Sequence, residues 1–170
     1  MKNVLFTFGL CIVSTIASIA QHEHAKHTEQ ASQAAAPIFN DDTIGKAYAL
    51  YIQLKDALVA SKQYEATQVA SDLQKSLLAV SGGKSAATEA GTIAHATALV
   101  DQRQAFGLLS TEMTTLIKAN PLISGQLYLE YCPMANNNTG AYWLSNEKQI
   151  KNPYFGNAML SCGVVKETIQ

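Results

Sequence analysis

Residues 41–58 read DDTIGKAYALYIQLKDAL, and the fold follows from this stretch. Ile44, Ala47, Tyr51, Leu54 and Leu58 recur at intervals of three and four, which lays one apolar stripe along one face of a helix. Asp41 and Asp42 stand just before it. There a carboxylate accepts from free backbone N–H groups and meets the positive end of the helix dipole. The unit of construction is therefore an amphipathic helix whose stripe needs partners to cover it.

Three partners follow downstream. Ser61-Lys62-Gln63 is a short break, and Ala66, Val69, Leu73, Leu77 and Val80 form a second stripe. Ser81-Gly82-Gly83 ends it, because glycine accepts the left-handed conformation after a helix. Ser85 is predicted to cap a third helix carrying Ala86, Ala90, Ile93, Ala96 and Val100. Asp101, with Gln104 three residues on, has the form of a capping box for a fourth. Phe106, Leu109, Met113 and Leu116 make its stripe, and Asn120-Pro121 stops it. Four such segments with short connections pack as an up-down antiparallel bundle, over residues 41–120.

Past Pro121 the period changes. Leu127, Leu129 and Tyr131 alternate with Tyr128, Glu130 and Cys132, a strand pattern. Asn136-Asn137-Asn138-Thr139-Gly140 is a turn signal. Residues 141–144 and 159–169 supply two further strands. The predicted class is mainly α: a four-helix bundle carrying a small C-terminal antiparallel β appendage over residues 121–169. Together, residues 41–169 are read as one domain.

Upstream of the bundle, Lys2, an apolar run over residues 4–13 and Ser18-Ile19-Ala20 meet the three-part pattern of a secretory signal over residues 1–20. Cleavage is expected after Ala20, leaving a periplasmic or secreted protein with no membrane span. Loss of Lys2 takes the 12 basic residues to 11 against 13 acidic ones, a net charge of -2. That balance offers nothing to nucleic acid or to an anionic membrane surface. The same cut removes Cys11 and leaves an even pair, Cys132 and Cys162, in an oxidising compartment. Residues 21–40 read as a flexible tail. His22, His24 and His27 lie in it and are expected to bind stray metal weakly.

No Gly-rich phosphate loop, His-Glu-x-x-His or nucleophile elbow occurs, and Glu130 near Cys132 has no positioned histidine, so the chain is not read as an enzyme. What stands out is sulfur: Cys132-Pro133-Met134 and Met159-Leu160-Ser161-Cys162. Thiolate and thioether are soft donors that select Cu(I) over hard cations. If the strands lie side by side, four sulfurs face one point. His95 joins them only if the appendage folds against the flank of the third helix. A second reading competes. The two cysteines form a disulfide worth about 3–4 kcal/mol in the chain-entropy picture, Met134 and Met159 fill the core, and the domain is structural or binds another protein. A disulfide sulfur has no thiolate to offer a metal. Tyr142, Trp143, Tyr154 and Phe155 either shield a site from water or form the appendage's own core.

Five runs of residues carry a resemblance. They are Tyr131-Cys132-Pro133-Met134-Ala135, Gly140-Ala141-Tyr142-Trp143-Leu144-Ser145, Ile150-x-Asn152-Pro153-Tyr154-Phe155-Gly156, Met159-Leu160-x-Cys162-Gly163, and Gln102-Arg103-Gln104-x-Phe106-x-x-Leu109-Ser110 with His95 upstream. Over roughly residues 42–169 the chain resembles the family catalogued as domain of unknown function 3347. Such domains are similar to ones found as exported envelope proteins of Bacteroidetes-type bacteria, and some are appended to periplasmic adaptor subunits of heavy-metal efflux pumps. The resemblance implies metal, copper first, and a periplasmic efflux component as partner.

Overall fold

The computed structural model describes residues 36–170. The predicted signal segment and His22, His24 and His27 lie outside the described residues.

Four long helices are formed: α1 (Asp42–Val59), α2 (Gln63–Leu78), α3 (Lys84–His95) and α4 (Leu99–Ala119). They pack together in a mainly helical bundle, as the four stripes predict. Asp41 is the N-cap of α1, its Oδ1 accepting from both Thr43 N and Thr43 Oγ1 at 2.7 Å. All five stripe residues of α1 are buried. On α2, Ala70 is buried where Val69 is only half-buried. Asn120 closes α4 by donating from Nδ2 to Leu116 O at 2.8 Å.

The junction of α3 and α4 differs from the sequence reading. Gly83, not Ser85, precedes α3, and no side chain caps it. A Cβ at Gly83 would collide with Leu77 O, so the turn off α2 is too tight for a larger residue. The helix then stops at His95, and Ala96 and Ala98 are extended. Gln63 donates to Thr97 O at 2.7 Å and holds this segment against the start of α2. Val100 therefore belongs to α4, where it is 68% exposed, and Asp101 lies in the first turn of α4 rather than at its cap. A tertiary hydrogen bond decides this boundary, in a stretch that contains no helix-breaking residue.

The appendage is a three-stranded antiparallel sheet in the order β4-β3-β5, formed by β3 (Leu127–Cys132), β4 (Ala141–Ser145) and β5 (Val164–Ile169). Glu130 pairs with Trp143 across β4 and with Val165 across β5. A short ribbon is also present. β1 (Ile38–Phe39), which the sequence reading assigned to the flexible tail, pairs with β2 (Leu122–Ser124), and Phe39 enters the core.

Bundle and appendage share one interior. Tyr51 of α1 bonds Ser110 Oγ of α4 at 2.7 Å and accepts from Leu144 N of β4 at 3.0 Å. Six rings run in series: Phe39, Tyr48, Tyr51, Phe106, Tyr154 and Trp143, with centroid separations of 5.4, 6.2, 5.2, 5.9 and 5.8 Å. No described helix is long and apolar enough to cross a membrane.

Candidate functional site

Cys132 is the last residue of β3, and Cys162 lies two residues before β5 begins. Antiparallel pairing sets Tyr131 opposite Val164, so the end of one strand meets the start of the other. Gly163 makes the approach feasible. Its φ is +145°, and a Cβ there would stand 2.8 Å from the Trp143 ring. The two sulfurs come within 2.9 Å of each other. Cys132 is fully buried and Cys162 is half-buried. Contact with the Cys132 sulfur, followed by burial, pushes the Cys162 thiol above its ordinary pKa.

Asn152 fastens this arrangement. It is fully buried. Its Nδ2 donates to Cys162 O at 2.6 Å, and its Oδ1 accepts from Tyr154 N at 2.8 Å and Phe155 N at 3.2 Å. Arg103 of α4 holds the same loop from the other side. Its Nε donates to Pro153 O at 2.9 Å, and its Nη2 donates to Leu58 O and Ser61 Oγ, each at 3.0 Å. The loop from Asn152 to Gly163 is thus tied to the ends of α1 and α4.

The other predicted donors are spread out. Met159 is half-buried, and its carbonyl accepts from Cys162 N at 3.1 Å. Met134 is 44% exposed and lines a groove with Arg103, Phe155 and the asparagines Asn136, Asn137 and Asn138. His95 ends α3 with its Nδ1 2.7 Å from Gly91 O. It lines a different groove, with Gln74 and Asp101, that none of the four sulfur residues borders. Among the described residues, no group of three or more His, Cys, Asp or Glu is gathered where a metal ion would sit. The structure thus brings the two cysteines together and leaves Met134 and His95 on other surfaces.

Three further residues received no role from sequence. Asn152 carries only the signal of an asparagine before proline. Arg103 is the chain's single arginine. Glu130, on the alternating strand, is fully buried, and both carboxylate oxygens are unpaired among the described residues. Burial pushes its pKa up to about 8, against the pull of Lys55 and Trp143 and with a smaller push from Glu147. Trp143 Nε1 is close enough to exert that pull but lies outside hydrogen-bond geometry, so it too is unpaired.

Residues 47–125 match the family model described as protein of unknown function (DUF3347). Over that span the chain is similar to the DUF3347 family. The match runs from α1 through β2 and ends before Cys132, so the DUF3347 span holds Arg103 and His95 but neither cysteine. No curated protein matches the chain, and no solved structure does.

Proposed function

We propose that this chain is an exported soft-metal-handling domain whose working groups are the Cys132 and Cys162 thiols, with Cu(I) as the ion it takes and a periplasmic efflux component as its partner. The observation that carries the reading is convergence. Two thiols 30 residues apart in sequence meet at one rim, one fully buried and one half-exposed. Such a pair offers a soft ion one protected donor and one way in. Met159 and Met134 stand three and two residues from the cysteines and are neutral soft donors. The donor chemistry fits Cu(I), although the sulfurs must part to share an ion. The thiols must also give up their protons, and the raised pKa of Cys162 makes binding weaker as pH falls. The test is competition for Cu(I) against a chromogenic chelator under reducing conditions. Wild type is expected to withdraw the ion, and Cys132→Ser to lose most of that capacity. Equal competition by the double variant Cys132→Ser, Cys162→Ser sinks the assignment.

One observation favours a second reading. The 2.9 Å separation is shorter than that of two sulfurs sharing a tetrahedral ion, roughly 3.8 Å at metal–sulfur distances of ~2.3 Å. In an oxidising compartment such a pair closes into a disulfide. The domain is then a stapled structural or protein-interaction module. Thiol titration of freshly purified, unreduced protein distinguishes the two: two free thiols support metal handling, and none supports the staple.

A further inference from the structure

We propose that the groove between α4 and the asparagine turn is a binding site for a small organic carboxylate, held by Arg103. The groove has a volume of about 370 Å³, within the lower range of small-molecule sites. Arg103 forms part of one wall, the turn of Asn136, Asn137 and Asn138 forms the opposite one, and Met134 and Phe155 add apolar surface.

The argument begins with charge. No carboxylate lies within ion-pair distance of Arg103 among the described residues, and no acidic residue lines the groove. Its described hydrogen bonds go to two carbonyls and one hydroxyl, through Nε and Nη2. Neutral acceptors hold a guanidinium in position but do not neutralise it. Nη1 and its two donors are uncommitted among the described residues. A partly buried cation without a counter-ion is unfavourable, and an anion bound beside it relieves that penalty. Burial lowers the Arg103 pKa, consistent with this desolvation.

The opposite wall is shaped for the same ligand. Asn136, Asn137 and Asn138 have φ values of 49°, 57° and 65°, three left-handed residues in succession without a glycine. Asparagine is among the few non-glycine residues that tolerate this conformation. The turn persists through Asn138 N to Met134 O, Thr139 N to Asn136 O and Gly140 N to Ala135 O. The side-chain amides of Asn137 and Asn138 take no partner within the described fold, and both residues are exposed at the groove. Their amides border the same groove as the guanidinium. A guanidinium and neutral amides suit a singly charged carboxylate, and the Met134 and Phe155 wall suits an apolar group next to it.

The test uses N-acetylphenylalanine, its uncharged amide and inorganic phosphate, titrated into the mature protein and followed by amide and guanidinium NMR shifts. The acid is expected to give saturable shifts at Arg103, Asn137 and Asn138, and the amide to bind about tenfold more weakly or not at all. Asn138→Asp keeps a residue that tolerates the left-handed conformation and adds a negative charge. It is expected to weaken the acid about tenfold while the thermal midpoint holds. Arg103→Lys is informative only with its fold checked, because Arg103 also ties the loop. Gln104→Glu, on the same groove, replaces Asn138→Asp if that variant fails to fold. Acid and amide binding alike, no saturable shift with the acid, phosphate binding as well as the acid, or an added carboxylate that leaves binding unchanged each overturns the proposal.

Discussion

Replacing Asn152 with alanine removes the one side chain that joins the aromatic loop to Cys162. Three partners are left behind: Cys162 O, Tyr154 N and Phe155 N. Tyr154 is buried, so its N–H loses a partner that water cannot replace, at about 2 kcal/mol. Cys162 and Phe155 are half-buried and partly rehydrated, at about 1 kcal/mol each. The sum is roughly 4 kcal/mol, a large share of the stability of an ordinary domain. Urea unfolding of wild type and Asn152→Ala, compared at equal slope, measures it. The loop should loosen around Cys162 as well, so the reduced variant should react faster with a thiol reagent. Asn152→Asp keeps the acceptor, so Tyr154 N and Phe155 N stay paired, but it loses the donor to Cys162 O. A loss below 1 kcal/mol in Asn152→Ala, with unchanged thiol reactivity, would refute the idea that this residue holds the cysteine in register.

Glu130→Gln tests the buried carboxyl. Its folded pKa of about 8 exceeds the ordinary 4.5, so the folded state binds the extra proton. Its contribution is full below pH 4.5 and is lost as pH rises through 8, amounting to about 3 kcal/mol by pH 7. Wild-type stability should therefore fall across this window while the variant's stays flatter, and parallel urea midpoints from pH 5 to 8 would contradict it. Gly163→Ala forces a Cβ towards the Trp143 ring at a left-handed φ, and a loss of about 1–3 kcal/mol is expected by thermal melting. Leu73→Ala empties a fully buried position on α2 and should cost about 2–5 kcal/mol in the same urea assay.

The bundle was legible because its signal is periodic: every buried stripe residue of α1 is separated from the next by three or four positions. The break after His95 was not, since Ala96 and Ala98 are extended by a hydrogen bond from Gln63, 34 residues away from Thr97. The meeting of Cys132 and Cys162 was anticipated from the even cysteine pair and, conditionally, from two strands lying side by side. The position of Met134 was not, because it depends on three consecutive left-handed asparagines that turn the chain beside Arg103. The burial of Glu130 was not legible either. Alternation sets Glu130 on the face of Tyr128 and Cys132, but β3 is the middle strand and is buried on both faces, with only Tyr131 left half-buried.

The row of aromatic rings from Phe39 to Trp143 crosses from helices to sheet without a gap. The sheet accordingly has no interior that it could keep if the helices melted, and the helices lose Tyr154 and Trp143 if the sheet peels away. Described residues 36–170 should melt in one all-or-none transition, with the same midpoint by helix dichroism and by tryptophan fluorescence. A lesion at Phe39, on the first short strand, would then depopulate the cysteine pair at the other end of the row, and its signature would be a lowered midpoint rather than altered sulfur chemistry.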